Sequence, residues 1–120
     1  MVPRKAPCQG DVYWVDPNPV AGREMKDRHR LVVITAQQIN ALGICMTVPV
    51  TSGGDFAWQS GLCVVISGHE TSGVAVCNQV RSFDLEQRVR TGSARLVETL
   101  DKVTVNEIVS RVLSVIDLSD

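Results

Sequence analysis

The sequence predicts a mainly β domain with some helix, a small antiparallel barrel or sandwich that ends in one C-terminal helix. Three observations predict it. Short apolar runs rich in β-branched residues recur as far as Cys77. Turns carrying glycine separate them, at Gly10, at Ser52-Gly53-Gly54-Asp55, at Ser60-Gly61 and between Ser67 and Gly73. Then the period changes: Val105, Ile108, Val109, Val112 and Ile116 recur at helical spacing. At 120 residues the chain reads as a single domain, 1–120, long enough to bury a real core. No internal repeat, low-complexity stretch or linker divides it.

The elements follow in order. Val12-Tyr13-Trp14-Val15 is a short strand opened by the Gly10-Asp11 break. Asp16-Pro17-Asn18-Pro19 ends it, because each proline removes a ladder donor. The polar stretch up to Arg30 is a long loop. Leu31 to Thr35 is a continuous apolar run, the pattern of a strand buried on both faces. Gln37 to Leu42 forms one or two helical turns that stop at Gly43, a residue suited to the position after a helix end. Cys45 to Thr51 is the third strand, and Pro49 within it implies an edge, a bulge or a strand end. Leu62–Ile66 and Val74–Cys77 are two further short strands. In the C-terminal helix, Thr104 followed by Glu107 suggests a capping box. One face of that helix packs on the sheet, with a share in a subunit interface as a second use.

Charge and cysteine usage narrow the class. A formal net charge of −1 argues against a protein that coats nucleic acid at large. The cations are clustered all the same, with Arg23, Lys26, Arg28 and Arg30 in one group and Arg81, Arg88, Arg90 and Arg95 in another. Basic patches on a neutral body suit a small anionic site. Cys8, Cys45, Cys63 and Cys77 show no C-x-x-C spacing, so no structural zinc site is expected, and they read as buried free thiols in a reducing cytoplasm. Met1-Val2-Pro3-Arg4-Lys5 leads into no apolar run of signal-peptide type, and no stretch approaches membrane-spanning length. A soluble, cytoplasmic protein with no membrane partner is the expectation.

Arg28-His29-Arg30 is the most pointed cluster. Guanidinium groups grip phosphate oxygens in forked pairs, and imidazole moves protons near neutral pH. Three such side chains where a polar loop meets a buried strand indicate phosphate chemistry. A solvated basic loop is the plainer explanation of the same residues. Strand alternation sets Arg28 and Arg30 on one face and His29 on the other wherever the strand is regular.

The order of these pieces resembles a known family. Gly10-Asp11-Val12-Tyr13-Trp14-Val15-Asp16, then Gly22-x-Glu24, then the basic cluster and Val32-Val33-Ile34-Thr35, is similar to the opening of MazF/PemK-type toxins. Val48-Pro49-Val50-Thr51-Ser52-Gly53-Gly54-Asp55-Phe56-Ala57 is close to the PemK (Kid) and ChpB branches. Gly73 to Arg81 and the helix segment Val105 to Arg111 continue the likeness, which spans roughly Gly10 to Ile116. The resemblance implies an SH3-like barrel with a C-terminal helix, usually a homodimer. It also implies metal-independent, cofactor-free cleavage of single-stranded RNA such as mRNA, and a cognate antitoxin that blocks the site.

The implied reaction is attack of a ribose 2′-OH on its own 3′ phosphate, leaving a 2′,3′-cyclic phosphate and a 5′-OH. Where many members carry an Arg-Pro dipeptide, this chain has His29-Arg30, preceded by Arg28. His29 is therefore expected to transfer the proton while Arg28 or Arg30 holds the phosphate. Thr51 matches the family's catalytic threonine, with an ordinary strand residue as the alternative; Ser52 beside it offers a second donor. Arg23 stands where the PemK branch has histidine. Glu24 matches a family acid that orients a cation or accepts a base edge, or else makes a loop salt bridge. Val76 and Asn78 replace an arginine and an aspartate of the PemK branch, so that branch's mechanism does not transfer whole. Asn78 and Gln79 suit base-edge reading, and Arg81 completes the motif as a substrate contact. Phe56 and Trp58 follow Thr51 and either stack on bases or pack on the barrel. His69, in a polar turn, reads as a surface residue.

Two other functions share the pattern: a gyrase poison like the related-fold CcdB proteins, and an RNA-binding relative that has lost its chemistry.

Overall fold

Gly10 takes φ +95°, a backbone that side-chain-bearing residues rarely adopt, and donates its N–H to Val33 O at 2.8 Å. That turn launches β1 (Asp11–Val15) beside β2 (His29–Val33), the two running antiparallel with Val12 opposite Val32 and Val15 opposite His29. The structure is a computed structural model and describes residues 6–16, 29–52 and 61–117, with His29 described by its backbone. β2 begins two residues before the predicted Leu31 and stops at Val33. Thr35 falls outside it because its hydroxyl is used locally: it donates to Asn40 Oδ1 at 2.5 Å and accepts from the Met46 N–H at 3.1 Å.

β3 (Cys45–Thr51) keeps its predicted bounds and pairs with β2 along one edge. Its other edge is shared. β6 (Arg81–Phe83) pairs with Cys45 to Thr47, and β5 (Gly73–Val76) pairs with Val50 and Thr51. Pro49 lies in the gap where the partner changes, a place that needs no donor on that side. β4 (Cys63–Ile66) adds to β5, and β7 (Ala94–Thr99) adds to β1. The order is β4-β5-β3-β2-β1-β7, with β6 beside β3. Among the described residues β4 and β7 do not pair. The expected SH3-like antiparallel fold is present, but its sheet stays open where a barrel would close.

Among the described residues three helices accompany the sheet: α1 (Gln37–Asn40), α2 (Leu85–Arg90) and α3 (Lys102–Ile116). Strand alternation divides the interior between the two faces. Val12, Val32 and Val48 pack with Val64, Ile66, Ala75 and the α3 residues Val105, Ile108 and Val112. Tyr13, Val15, Leu31, Val33 and Cys45 face the other way, onto Phe83, Leu85 and Ala94. β2 is thus buried on both sides, as its unbroken apolar run predicts. Each fully buried aliphatic side chain, Ile108 for example, contributes about 1.5–3 kcal/mol through burial.

The C-terminal helix differs from expectation in two details. Its N-cap is Asp101, whose carboxylate accepts from the Thr104 N–H at 3.0 Å, so the expected Thr104–Glu107 box is not the cap. Its buried stripe ends at Val112, and Ile116 is 57% exposed. All four cysteines are free thiols. Cys45 and Cys77 are buried, which pushes each up to about 11, while Cys8 and Cys63 are only half-buried.

Candidate functional site

Three strand ends lie at one end of the fold. β1 ends at Val15, opposite His29 at the start of β2, and β3 ends at Thr51. Arg30 pairs with Trp14 on one side and Val50 on the other. Directly opposed residues of an antiparallel pair share a face, so Arg30 and Val50 lie together, while position 29 and Thr51 lie on the reverse face. The ladder is regular from His29 onward, so positions 29 and 30 of the basic cluster take opposite faces of the sheet.

Arg30 has partners on its own face. Its Nη1 donates to Glu70 O at 3.3 Å and to the Thr71 hydroxyl at 3.5 Å, and its Nη2 lies 3.6 Å from the Glu70 carboxylate. With the guanidinium side chain one-third exposed, this pair is a weak surface bridge that orients more than it stabilises. The loop it touches, residues 67–72 between β4 and β5, is tied down from below. Glu98 of β7 accepts from the Glu70 N–H at 3.3 Å and the Thr71 N–H at 2.5 Å. Burial pushes the Glu98 carboxyl up, but the Thr71 and Glu70 donors outweigh it and hold it below the usual 4.5.

His69, expected on the surface, is instead held between two acids. Its Nε2 is 2.7 Å from Asp101 Oδ1 and its Nδ1 is 3.5 Å from Glu98 Oε1, with the side chain 18% exposed. The His69 hydrogen bond and the Thr104 donors keep the Asp101 carboxyl well below its ordinary value. No local motif marks His69, Glu98 and Asp101 as partners; residues from three separate elements meet only in the fold.

Thr51 is half-buried at the strand end, with Ser52 exposed beside it. The backbone of β5 comes unusually near. Gly73, at φ +128°, has no room for a Cβ, which would strike the Thr51 carbonyl oxygen and lie 3.1 Å from the Thr51 carbonyl carbon. Gly73 therefore sets how close β5 can hold Thr51.

The remaining expected contacts fall into two groups. Asn78 and Gln79 are exposed in the β5–β6 connection, and Arg81 is exposed on β6 opposite Thr47. Arg81 thus lies along β3 from Thr51, at the far side of the Pro49 gap. Arg23, Glu24, Arg28, Phe56 and Trp58 lie outside the described residues. Beyond the expected set, the fold brings Arg88 and Arg81 over one ring, that of Phe83, each at 5.1 Å from its centroid.

Comparison with known proteins agrees with this architecture. A family described as PemK-like, MazF-like toxin of type II toxin–antitoxin systems matches residues 8–116. The chain is 32% identical over 120 residues to the endoribonuclease PemK of Escherichia coli, covering 97% of this chain and 87% of that protein. It is 33% identical over 112 residues to the endoribonuclease toxin ChpB of Escherichia coli strain K12, covering 91% and 93%. In fold it is similar to a chain of the MazE–MazF crystal structure (form III) from Deinococcus radiodurans, with a TM-score of 0.75 at 23% identity over 92% of this chain and 96% of that one. The chain belongs to the PemK-like, MazF-like family of toxins from type II toxin–antitoxin systems.

Proposed function

We propose that this protein is an endoribonuclease toxin that cuts single-stranded RNA at short sequences, without a metal ion, and that a cognate antitoxin restrains it. One observation carries the function: two relatives at 32% and 33% identity, each matched over nearly this whole chain, are named endoribonucleases. The chemistry is attack of the 2′-OH on the adjacent phosphate, giving 2′,3′-cyclic phosphate and 5′-OH ends; DNA lacks the nucleophile. A homodimer acting in the cytoplasm completes the proposal.

The residue roles draw support from the register. His29 transfers the proton and the Thr51 hydroxyl donates to a phosphoryl oxygen, tasks that suit two positions sharing one face and one sheet end. Arg30 faces the other way and is occupied with Glu70 and Thr71. It braces the loop, and Arg28, which precedes β2 and is not bound by its alternation, is the cation that holds the phosphate. Ser52 lies next to Thr51 as a second donor. Arg23, Glu24, Phe56, Asn78, Gln79 and Arg81 bind the RNA around the scissile bond.

The test is incubation of the purified protein with a long RNA in EDTA, followed by end-group mapping. Cyclic-phosphate ends are expected from the native protein. His29→Ala should abolish cleavage with its unfolding curve unchanged, and undiminished cutting by that variant refutes the proton-transfer role. Intact RNA with retained binding, or inhibited supercoiling with no cut RNA, refutes the enzymatic function.

A further inference from the structure

We propose that the cleft between β6, α2 and the start of β7 binds a phosphate of the RNA strand at a distance from the scissile bond. This rests on the endoribonuclease function above and extends its substrate contacts. The cleft encloses about 720 Å³, within the size range of ligand sites, and is lined among others by Arg81, Ser82, Phe83, Asp84, Gln87 and Arg88.

Its charge arrangement is the reason. Arg81 and Arg88 sit 5.1 Å from the centroid of the same Phe83 ring, so their guanidinium carbons are at most about 10 Å apart. Among the described residues neither forms an ion pair. Among the described residues the Arg88 guanidinium makes one hydrogen bond, Nη1 to Asp16 O at 3.4 Å, and most of its five donors meet no acceptor there. Two like charges gathered at one ring without an ion-pair partner repel, and an anion bound beside them offsets that cost. Asp84 lines the cleft too, but its Oδ1 accepts from the Gln87 N–H at 3.0 Å and serves as the cap of α2.

The Phe83 ring selects the kind of contact. It is 8% exposed and lies under the guanidiniums, so it offers no open surface for a base to stack on. It fixes the planar guanidiniums with little loss of freedom, which favours forked binding of phosphate oxygens. The position fits as well. Arg81 opposes Thr47, and Thr51 lies four residues further along β3, about 13 Å at the strand's usual rise. Thr47 and Thr51 share a face by alternation, so the cleft and the proposed Thr51 site lie on the same side of the sheet.

The experiment measures binding of a 2′-O-methyl RNA oligonucleotide, which cannot be cleaved, across a salt series. Arg88→Gln should reduce the slope of log affinity against log salt by about 0.7, the value of one lost single-strand phosphate contact. It should also weaken low-salt binding about tenfold. Arg88→Lys, which keeps the charge, should hold the native slope. Arg81→Gln, which removes the other cation at the ring, should lower the slope as Arg88→Gln does and covers the case in which Arg88→Gln unfolds. Arg90→Gln removes the same charge from the same helix, but Arg90 reaches Gln87 instead of the ring, and its slope change should be less than half as large. Equal losses in Arg88→Gln and Arg90→Gln, or a native slope in folded Arg88→Gln, overturn the inference, and the latter points to a protein partner for the cleft. Native protein that binds this RNA but cuts no RNA refutes the enzymatic function alone.

Discussion

Replacing Gly73 by alanine should destabilise the protein by about 2–5 kcal/mol, and Gly43→Ala separates the two causes. The two glycines have nearly the same backbone, φ +128° at Gly73 and φ +125° at Gly43. An alanine at either must adopt a conformation that L side chains avoid, at about 1–2 kcal/mol. Their surroundings differ. Around Gly43 nothing lies within 4 Å of a new Cβ, whereas at Gly73 it meets the Thr51 carbonyl group and comes within 3.5 Å of Ser52 Cα. Both obstacles are backbone, which cannot swing aside as a side chain can. Forcing β3 and β5 apart there adds about 1–3 kcal/mol, as overpacking does in a core. Urea unfolding at constant m value measures both variants. Gly73→Ala should have the clearly lower midpoint, and its Thr51-dependent RNA cleavage should fall with it. If the two variants agree within about 0.5 kcal/mol, the close approach of β5 to Thr51 is not what demands glycine.

Two further predictions concern stability. Asn40 is fully buried and its Nδ2 donates to Pro7 O at 2.8 Å and Thr35 O at 2.9 Å, so Asn40→Ala should cost about 2–4 kcal/mol, whereas Leu42→Ala, at a site 83% exposed, should change stability by less than about 0.5 kcal/mol by the same urea assay. The carboxyls of Glu98 and Asp101 are both held below their ordinary values of 4.5 and 3.8 in the folded protein. Their contribution is therefore complete above about pH 4.5 and is lost as pH falls toward the folded values, so Asp101→Asn should flatten the acid limb of stability measured from about pH 5 down to about pH 2. An unchanged limb in that variant removes Asp101 from the cause.

Much of the fold is legible locally because its signal is local. β1 and β3 announce themselves through β-branched runs bounded by Gly10 and Gly43, and the α3 stripe appears as Val105, Ile108 and Val112 at helical spacing. β6, α2 and β7 carry no such signal. β6 has three residues, two of them polar, and α2 has six. β7 contains a bulge at Val97, since Val12 pairs with Glu98 while Tyr13 pairs with Leu96, and that bulge breaks the alternation that marks a strand. The Thr104–Glu107 spacing points to a capping box, but Asp101, three residues before Thr104, caps α3, because its carboxylate reaches the Thr104 N–H.

By itself the sequence determined the family, the β class, the burial of β2 on both faces and the presence of the Arg28-His29-Arg30 cluster, because each depends on residue identity, order or period. Only the tertiary structure decided which face each member of the site occupies. Register pairs Arg30 with Val50 and sets it opposite in facing to Thr51, the Glu98 carboxylate turns a plain surface loop into the partner of Arg30, and Phe83 gathers two arginines seven residues apart. Facing and proximity depend on which strands meet and in what register, and those are properties of the assembled sheet that no single segment encodes.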